Sequence, residues 1–286
     1  MKVVVLGTAA GGGFPQWNCA CARCVAARAG RPNVPLRSQD GLAVSATGHE
    51  WYLVNASPDI RAQLLAEPLF APGPGPRDTP IRGALLTDAE LDHTAGLLML
   101  REGEALRVWG PAAVLGALGG TRAVIDRYHE WVWTPVAEEF EFGGLRARVL
   151  AVHDKPPRYA DPGPGPWAVA YRITDPKTGG VLVYAPCLRD WPAGFDEFVA
   201  DADVVLLDGT FYSPDELATA TGAHRDQSGM GHLPISQSLP LLRPGPRWHY
   251  THLNNTNPLL DTEASQWASV RAAGVDVLFD GAGFDL

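Results

Sequence analysis

The stretch Leu85-Leu86-Thr87-Asp88-Ala89-Glu90-Leu91-Asp92-His93-Thr94-Ala95-Gly96-Leu97 places carboxylates and an imidazole directly after an apolar run. Ala84–Leu86 reads as a strand, and the spacing predicts a helix over Thr94–Leu100. Side chains between a strand end and a helix start are rigidly held yet open to a cleft. A carboxylate beside an imidazole is a ligand pair suited to iron, manganese or zinc. The competing reading is local: Asp92 or Thr94 caps the helix and His93 is a bystander.

A second histidine region shifts that balance. Trp248-His249-Tyr250-Thr251-His252-Leu253-Asn254-Asn255-Thr256-Asn257-Pro258 follows a short strand and ends in a polar turn. His252 is then a second ligand at a strand end, with Asn255 and Asn257 as candidates for orienting a substrate or a metal-bound water. The alternative is an Asx-rich turn ahead of a helix opened by proline.

Cys19-Ala20-Cys21-Ala22-Arg23-Cys24 crowds three of the four cysteines into six positions. That crowding fits a metal knot in a reducing compartment better than a disulfide scaffold. Zinc takes tetrahedral sulfur and nitrogen ligands, so a closed structural site needs a fourth. His232, in Gly229-Met230-Gly231-His232, is the leading candidate, and Cys187 and His224 are rivals. Gly11-Gly12-Gly13 lacks the Gly-Lys-Ser/Thr of a phosphate loop and reads as a tight backbone turn beneath the site. Trp17, Trp131 and Trp133 are candidates for stacking on an aromatic ligand.

Outward from these motifs, β-branched runs recur at Val3–Leu6, Leu42–Ser45, Trp51–Val54, Leu145–Val152, Ala168–Ile173, Val181–Tyr184, Val204–Leu207 and Val275–Phe279. Thr47-Gly48 and Thr178-Gly179-Gly180 read as hairpin turns. Helices are expected at Ile60–Ala66, Ala112–Leu118, Thr121–Trp131, Ile235–Leu242 and Glu263–Ala273. Strands covered by helices give an α/β class with mixed pairing. Pro68–Pro80 and Pro156–Pro166 are exposed loops without the composition of a linker, so residues 1–286 form one domain. The net charge of -9 and pI near 5.3 argue against nucleic acid or an anionic membrane as partner. No apolar run spans a bilayer. The start Met1–Gly7 reads as a strand rather than a signal peptide, so the cytoplasm is expected.

The chain resembles the metallo-β-lactamase fold superfamily along nearly its whole length. The resemblance rests on Gly11-Gly12-Gly13-Phe14-Pro15-Gln16-Trp17-Asn18-Cys19, the cysteine loop, Val54-Asn55-Ala56-Ser57-Pro58-Asp59, Leu86–Gly96 and Thr251–Pro258. Within that superfamily it is most similar to the branch that works in pyrroloquinoline quinone (PQQ) biosynthesis. The implied fold is an αβ/βα sandwich of two mixed β-sheets flanked by helices. A related phosphodiesterase branch shares the cysteine loop and completes it with a histidine matching His232.

The superfamily metal loop usually reads His-x-His-x-Asp-His. Here Asp88 and Glu90 replace its first two histidines, while Asp92 and His93 remain. The first of the two usual metal sites would be left with Asp88, Glu90 and His153. Tyr184-Ala185-Pro186-Cys187 lacks the aspartate that commonly bridges the pair. The second site survives as Asp92, His93 and His252. The resemblance implies Fe(II) on those three residues and O2-dependent hydroxylation of the tyrosine ring in a Glu-Tyr intermediate. Asp88 and Glu90 would then handle protons or hold the ligands, with zinc on the cysteines. A metal-dependent hydrolase and a carrier for the finished quinone are the competing functions. Assembly is open, a homodimer being one expectation.

Overall fold

The computed structural model describes residues 1–222 and 230–286. In chain order the strands are β1 (Lys2–Gly7), β2 (Gly41–Ser45), β3 (Trp51–Val54), β4 (Ile81–Leu85), β5 (Arg107–Gly110), β6 (Val132–Pro135) and β7 (Glu139–Phe142). They continue as β8 (Leu145–His153), β9 (Ala168–Thr174), β10 (Val181–Ala185), β11 (Val204–Asp208), β12 (Arg247–Thr251), β13 (Asp276–Val277) and β14 (Gly283–Asp285). Two sheets form, ordered β14-β1-β2-β3-β4-β5-β6 and β13-β12-β11-β10-β9-β8-β7. Each runs antiparallel through the strands that come earlier in its half of the chain and then parallel: from β3 to β6 in one, from β10 to β13 in the other. The two halves thus share one pairing scheme, which no sequence repeat announces.

Alternation within each strand explains why the sheets stack. Val3 and Val5 of β1, Leu42 and Val44 of β2, and Val54 of β3 point into a core shared with Tyr171, Leu182, Tyr184, Val204 and Leu206 of the other sheet. The intervening residues, such as Val4, Ala43 and Leu53, face a separate core under the helices of the first half. Val183, Val205 and Leu207 do the same in the second half. Both faces of both sheets are therefore buried, which fits β-branched, near-continuously apolar strands. This is the four-layer αβ/βα sandwich.

Ile60–Ala66 is helical as expected, and both glycine turns join antiparallel hairpins. The helix expected over Thr121–Trp131 runs only over Gly119–Ile125, because Val132-Trp133-Thr134 is taken up as an edge strand beside β5. The segment after the metal loop is a short helix, Leu91–Thr94, continued as 3-10 turns over Ala95–Leu100. No described helix is long and apolar enough to cross a membrane.

Candidate metal centre

Parallel strands leave their carboxyl ends on one edge of the sandwich, and open α/β sheets bind ligands there. Past β4 come Asp88–His93, at the end of β8 His153, past β10 Cys187, at the end of β11 Asp208, and past β12 His252. Asp88, Asp92, His93, His153, Cys187, His232 and His252 all line one cavity of about 280 Å³. Two non-glycine residues at this edge, Asn55 and His252, hold left-handed backbone at φ 65 and φ 57. Such strain persists where surrounding contacts fix it.

Those contacts set the ring protons. The buried His93 Nδ1 lies 2.7 Å from Asp88 Oδ2, so it donates to the carboxylate and Nε2 carries the lone pair. That Nε2 is buried without any hydrogen-bond partner. His252 Nδ1 lies 2.8 Å from Thr210 Oγ1, whose single proton goes to Asp208 Oδ1 at 2.7 Å. The hydroxyl must therefore accept from His252, which again leaves Nε2 bare. His252 Nε2 stands 3.3 Å from Asp92 Oδ2. Two imidazole lone pairs and a carboxylate thus converge with no proton between them, an arrangement that fits a divalent cation. Without one, protons fill the role: burial opposes charge on His93, yet the Asp88 and Asp92 carboxylates push it up to about 10. Burial also works against Asp92, but His93 and His252 hold its carboxyl below the usual range.

Asp88 is not free to bind a metal. Oδ2 accepts from His93 and from Thr87 Oγ1 at 2.8 Å, and Oδ1 accepts from Glu90 N at 2.9 Å. Behind it, Thr87 joins Asn55, which reaches Tyr184, and the Tyr184 hydroxyl donates to the fully buried Asp40. Asp40 also accepts from Thr251, the residue before His252. One buried polar network thus backs both histidines. Glu90 lies on the rim, its carboxyl raised by partial burial and by the Asp88 and Asp92 charges. Gly11 abuts Asp92: a Cβ there would come 3.1 Å from Oδ2.

Beyond the expected trio the structure adds Cys187, whose Sγ groups with His93 and His252 within 4.8 Å. Burial pushes this thiol well above its ordinary range. Asp208, His232 and His252 form another such group. Asp208, however, is saturated by Leu188 N, Thr210 and His232 Nδ1, at 2.7 to 2.9 Å. The sequence signal for Asp208 was the apolar run Val204–Leu207 ending in a carboxylate, the same pattern that marks Asp88.

His232 therefore does not complete the cysteine knot. It is held at the cavity by Asp208 and stacks on His252, with ring centroids 5.5 Å apart. Cys19, Cys21 and Cys24 do converge within 4.8 Å. Their fourth neighbour is Asn255, whose side-chain amide lies 3.1, 4.0 and 3.6 Å from the three sulfurs. Turned over about its last bond, the Asn255 amide presents oxygen at the same point. His224, a rival for that place, lies outside the described residues; Cys187, the other, belongs to the cavity.

The expected ligand contacts of Asn255, Asn257 and Trp17 are also displaced. Asn257 is buried and braces the chain, donating to Gly209 O at 2.6 Å and accepting from Leu259 N at 2.8 Å. Asn254, not Asn255 or Asn257, lines the cavity. Trp17 is 85% exposed on the cysteine loop, away from the cavity wall. Trp131 and Trp133 stack on one another at the first sheet's outer core.

A Beta-lactamase superfamily domain matches residues 50–245. Coenzyme PQQ synthesis protein B of Azotobacter vinelandii is 38% identical, with all of both chains covered. Its counterpart in Acinetobacter baumannii is 37% identical, again over all of both chains. The chain belongs to the coenzyme PQQ synthesis protein B family. The Zn(2+)-bound PqqB from Methylobacterium extorquens superposes with a TM-score of 0.92 at 35% identity, covering all of both chains. A diphosphatase from the PhnP family shares the fold at TM-score 0.73 and 18% identity, over 100% of this chain and 97% of its own. Membership in the PQQ synthesis protein B family agrees with the fold.

Proposed function

We propose that the chain acts in PQQ synthesis as an O2-dependent hydroxylase of the tyrosine ring in a Glu-Tyr derived intermediate, with Fe(II) held by Asp92, His93 and His252. The observation that carries this reading is the pair of bare imidazole Nε2 atoms beside one carboxylate, with His93 Nε2 buried and unpartnered. Two histidines and one carboxylate with open positions are the ligand set of non-haem Fe(II) oxygenases. Bound there, iron supplies redox chemistry toward oxygen that zinc lacks. The chain's own residues do the rest. Asp88 and Thr210 fix the ligand tautomers. Trp167 and Phe211 give the cavity apolar walls for a ring. The Glu90 carboxyl at the rim, raised by burial and by the Asp88 and Asp92 charges, is placed to take a phenolic proton.

A hydrolase reading draws on the Asp208, His232 and His252 group, which would hold a second cation. The four hydrogen bonds already on Asp208 weigh against it, as do Asp88 and Glu90 in place of histidines. In the cysteine loop we assign a structural zinc to Cys19, Cys21 and Cys24, closed by Asn255. Asn255 lies three residues past His252, so the knot would fix the loop that carries a catalytic ligand. Thr256 and Asn257 support the same loop through Glu216 and Gly209. Anaerobic protein loaded with Fe(II) or Zn(II), then exposed to substrate with and without air, tests the reading. Turnover that persists without oxygen would overturn it.

A further inference from the structure

Each histidine of the proposed ligand set has a hydrogen-bond partner behind it, Asp88 for His93 and Thr210 for His252. Asp92 is held differently. Among the described residues its carboxylate reaches one side chain, His252 at 3.3 Å, and that contact faces the site rather than backing it. Asp88, four residues earlier, accepts from three donors. A carboxylate on a rotatable stem loses freedom when a metal fixes it, unless packing has already placed it. The backbone that closes on Asp92 is the Gly11-Gly12-Gly13 turn, which lines the cavity through Gly11.

That turn is braced on three sides. Ala10 N donates to Leu253 O at 2.9 Å, beside His252, and Gly13 N donates back to Ala10 O at 3.0 Å. Phe14 and Arg37 exchange backbone hydrogen bonds at 2.9 Å. Gly12 N donates to Gln39 Oε1 at 3.0 Å, and Gln39 is fixed that way round because its Nε2 donates to Asp59 Oδ2 at 3.2 Å. Gly12 and Gly13 hold left-handed backbone at φ 96 and φ 69, which favours glycine. Gly11 has another reason to lack a side chain. A Cβ there would stand 3.1 Å from Asp92 Oδ2 and 3.3 Å from its Cγ, so the carboxylate would have to give way by a few tenths of an ångström. Metal–ligand distances tolerate only about 0.2 Å.

We infer that the glycine turn positions the Asp92 carboxylate: the bare Cα of Gly11 leaves the space in which Oδ2 stands, and Gln39 holds the turn at that distance. Gly11 and Gln39 are positioning residues, and their role rests on Asp92 being a ligand of the proposed site. Through Ala10 the same turn grips Leu253, so one loop sets Asp92 and the strand end bearing His252 relative to each other.

Co(II) binding reads this role without turnover. Full-length protein, with zinc supplied to the cysteine loop, is titrated with Co(II), whose visible absorption reports both occupancy and ligand geometry. Gly11→Ala is expected to raise the Co(II) dissociation constant about ten-fold, the low end for a lost support behind a metal ligand, and to alter the bound spectrum. Its metal-free melting temperature should stay unchanged, because the atoms that yield are the far end of the Asp92 side chain. Gln39→Met, which cannot accept from Gly12 N, should raise the constant about three-fold, the scale of one hydrogen bond. In an Asp92→Ala background both effects should vanish, as no carboxylate is left to displace. An unchanged constant in Gly11→Ala, or equal weakening with and without Asp92, overturns the positioning role. Asp92→Ala that binds Co(II) as tightly as the unaltered protein removes Asp92 from the ligand set, and the role of the turn with it. Weakening by Asp92→Ala with Gly11→Ala and Gln39→Met silent leaves the ligand reading intact and removes the role of the turn alone.

Discussion

Asp88→Asn is the substitution whose outcome the geometry constrains most tightly. The side chain keeps its shape, but an amide has one oxygen where the carboxylate uses two. If that oxygen accepts from His93 Nδ1, the amide NH2 faces the N–H of Glu90, now 2.9 Å from Oδ1. If the amide turns over, NH2 faces Nδ1–H and drives the ring proton to Nε2, removing the lone pair that binds metal. Either way a buried donor is left unpaired, at a cost of about 1–3 kcal/mol in stability. Loss of the partner behind a metal-bound histidine typically weakens metal binding by about 10- to 100-fold, or ~1.4–2.8 kcal/mol. Anaerobic Fe(II) titration with a competing chelator should give a dissociation constant raised about thirty-fold, within that range. Turnover at saturating iron should recover in part. Unchanged iron affinity together with an unchanged melting temperature would refute the claim that Asp88 sets the His93 tautomer.

Other substitutions probe the remaining supports. His252→Ala should abolish turnover with little loss of fold, since the ring's protein contacts are confined to the cavity edge; an active variant with normal iron content would remove His252 from the ligand set. Cys21→Ser should release one zinc per chain and lose much of the roughly 10 kcal/mol that a structural zinc contributes, read by metal analysis and thermal melting. Full zinc retention with unchanged melting would end the knot assignment. Glu216 gives a pH signature. Burial raises its carboxyl from 4.5 to about 7 despite hydrogen bonds from Thr256 and Tyr212. The folded state therefore prefers the protonated acid. Its contribution is fully present below pH 4.5 and is lost as pH rises through 7, by about 3 kcal/mol. In urea denaturation Glu216→Gln should flatten that fall, and a profile parallel to the unaltered protein would contradict it.

The Asp88–His93 loop and the His252 region were legible in sequence because carboxylates and imidazoles interrupt apolar runs at strand ends. The same logic exposed the cysteine cluster, whose spacing is local. What the sequence concealed depends on distance. His232 and Cys19 lie far apart in the chain, and nothing local says that His232 joins Asp208 across 24 residues rather than the cysteines. Asn255 reads in sequence as a residue orienting a substrate or metal-bound water, because its contact with the sulfurs spans more than 230 positions. β5 and β6 escaped notice because neither is an apolar run: Arg107 and Gly110 bound Val108-Trp109, and Thr134-Pro135 end β6. The pairing scheme shared by both halves is a property of topology, carried by no repeated motif.

The most direct test of the central claim is oxygen consumption by anaerobically prepared protein reconstituted with one Fe(II) at the Asp92, His93 and His252 site. On adding the Glu-Tyr derived substrate and air, the account predicts O2 uptake in step with a hydroxylated ring, abolished when Zn(II) replaces iron. Substrate conversion with Zn(II) in the absence of oxygen, or tight binding without conversion under any metal, would contradict it.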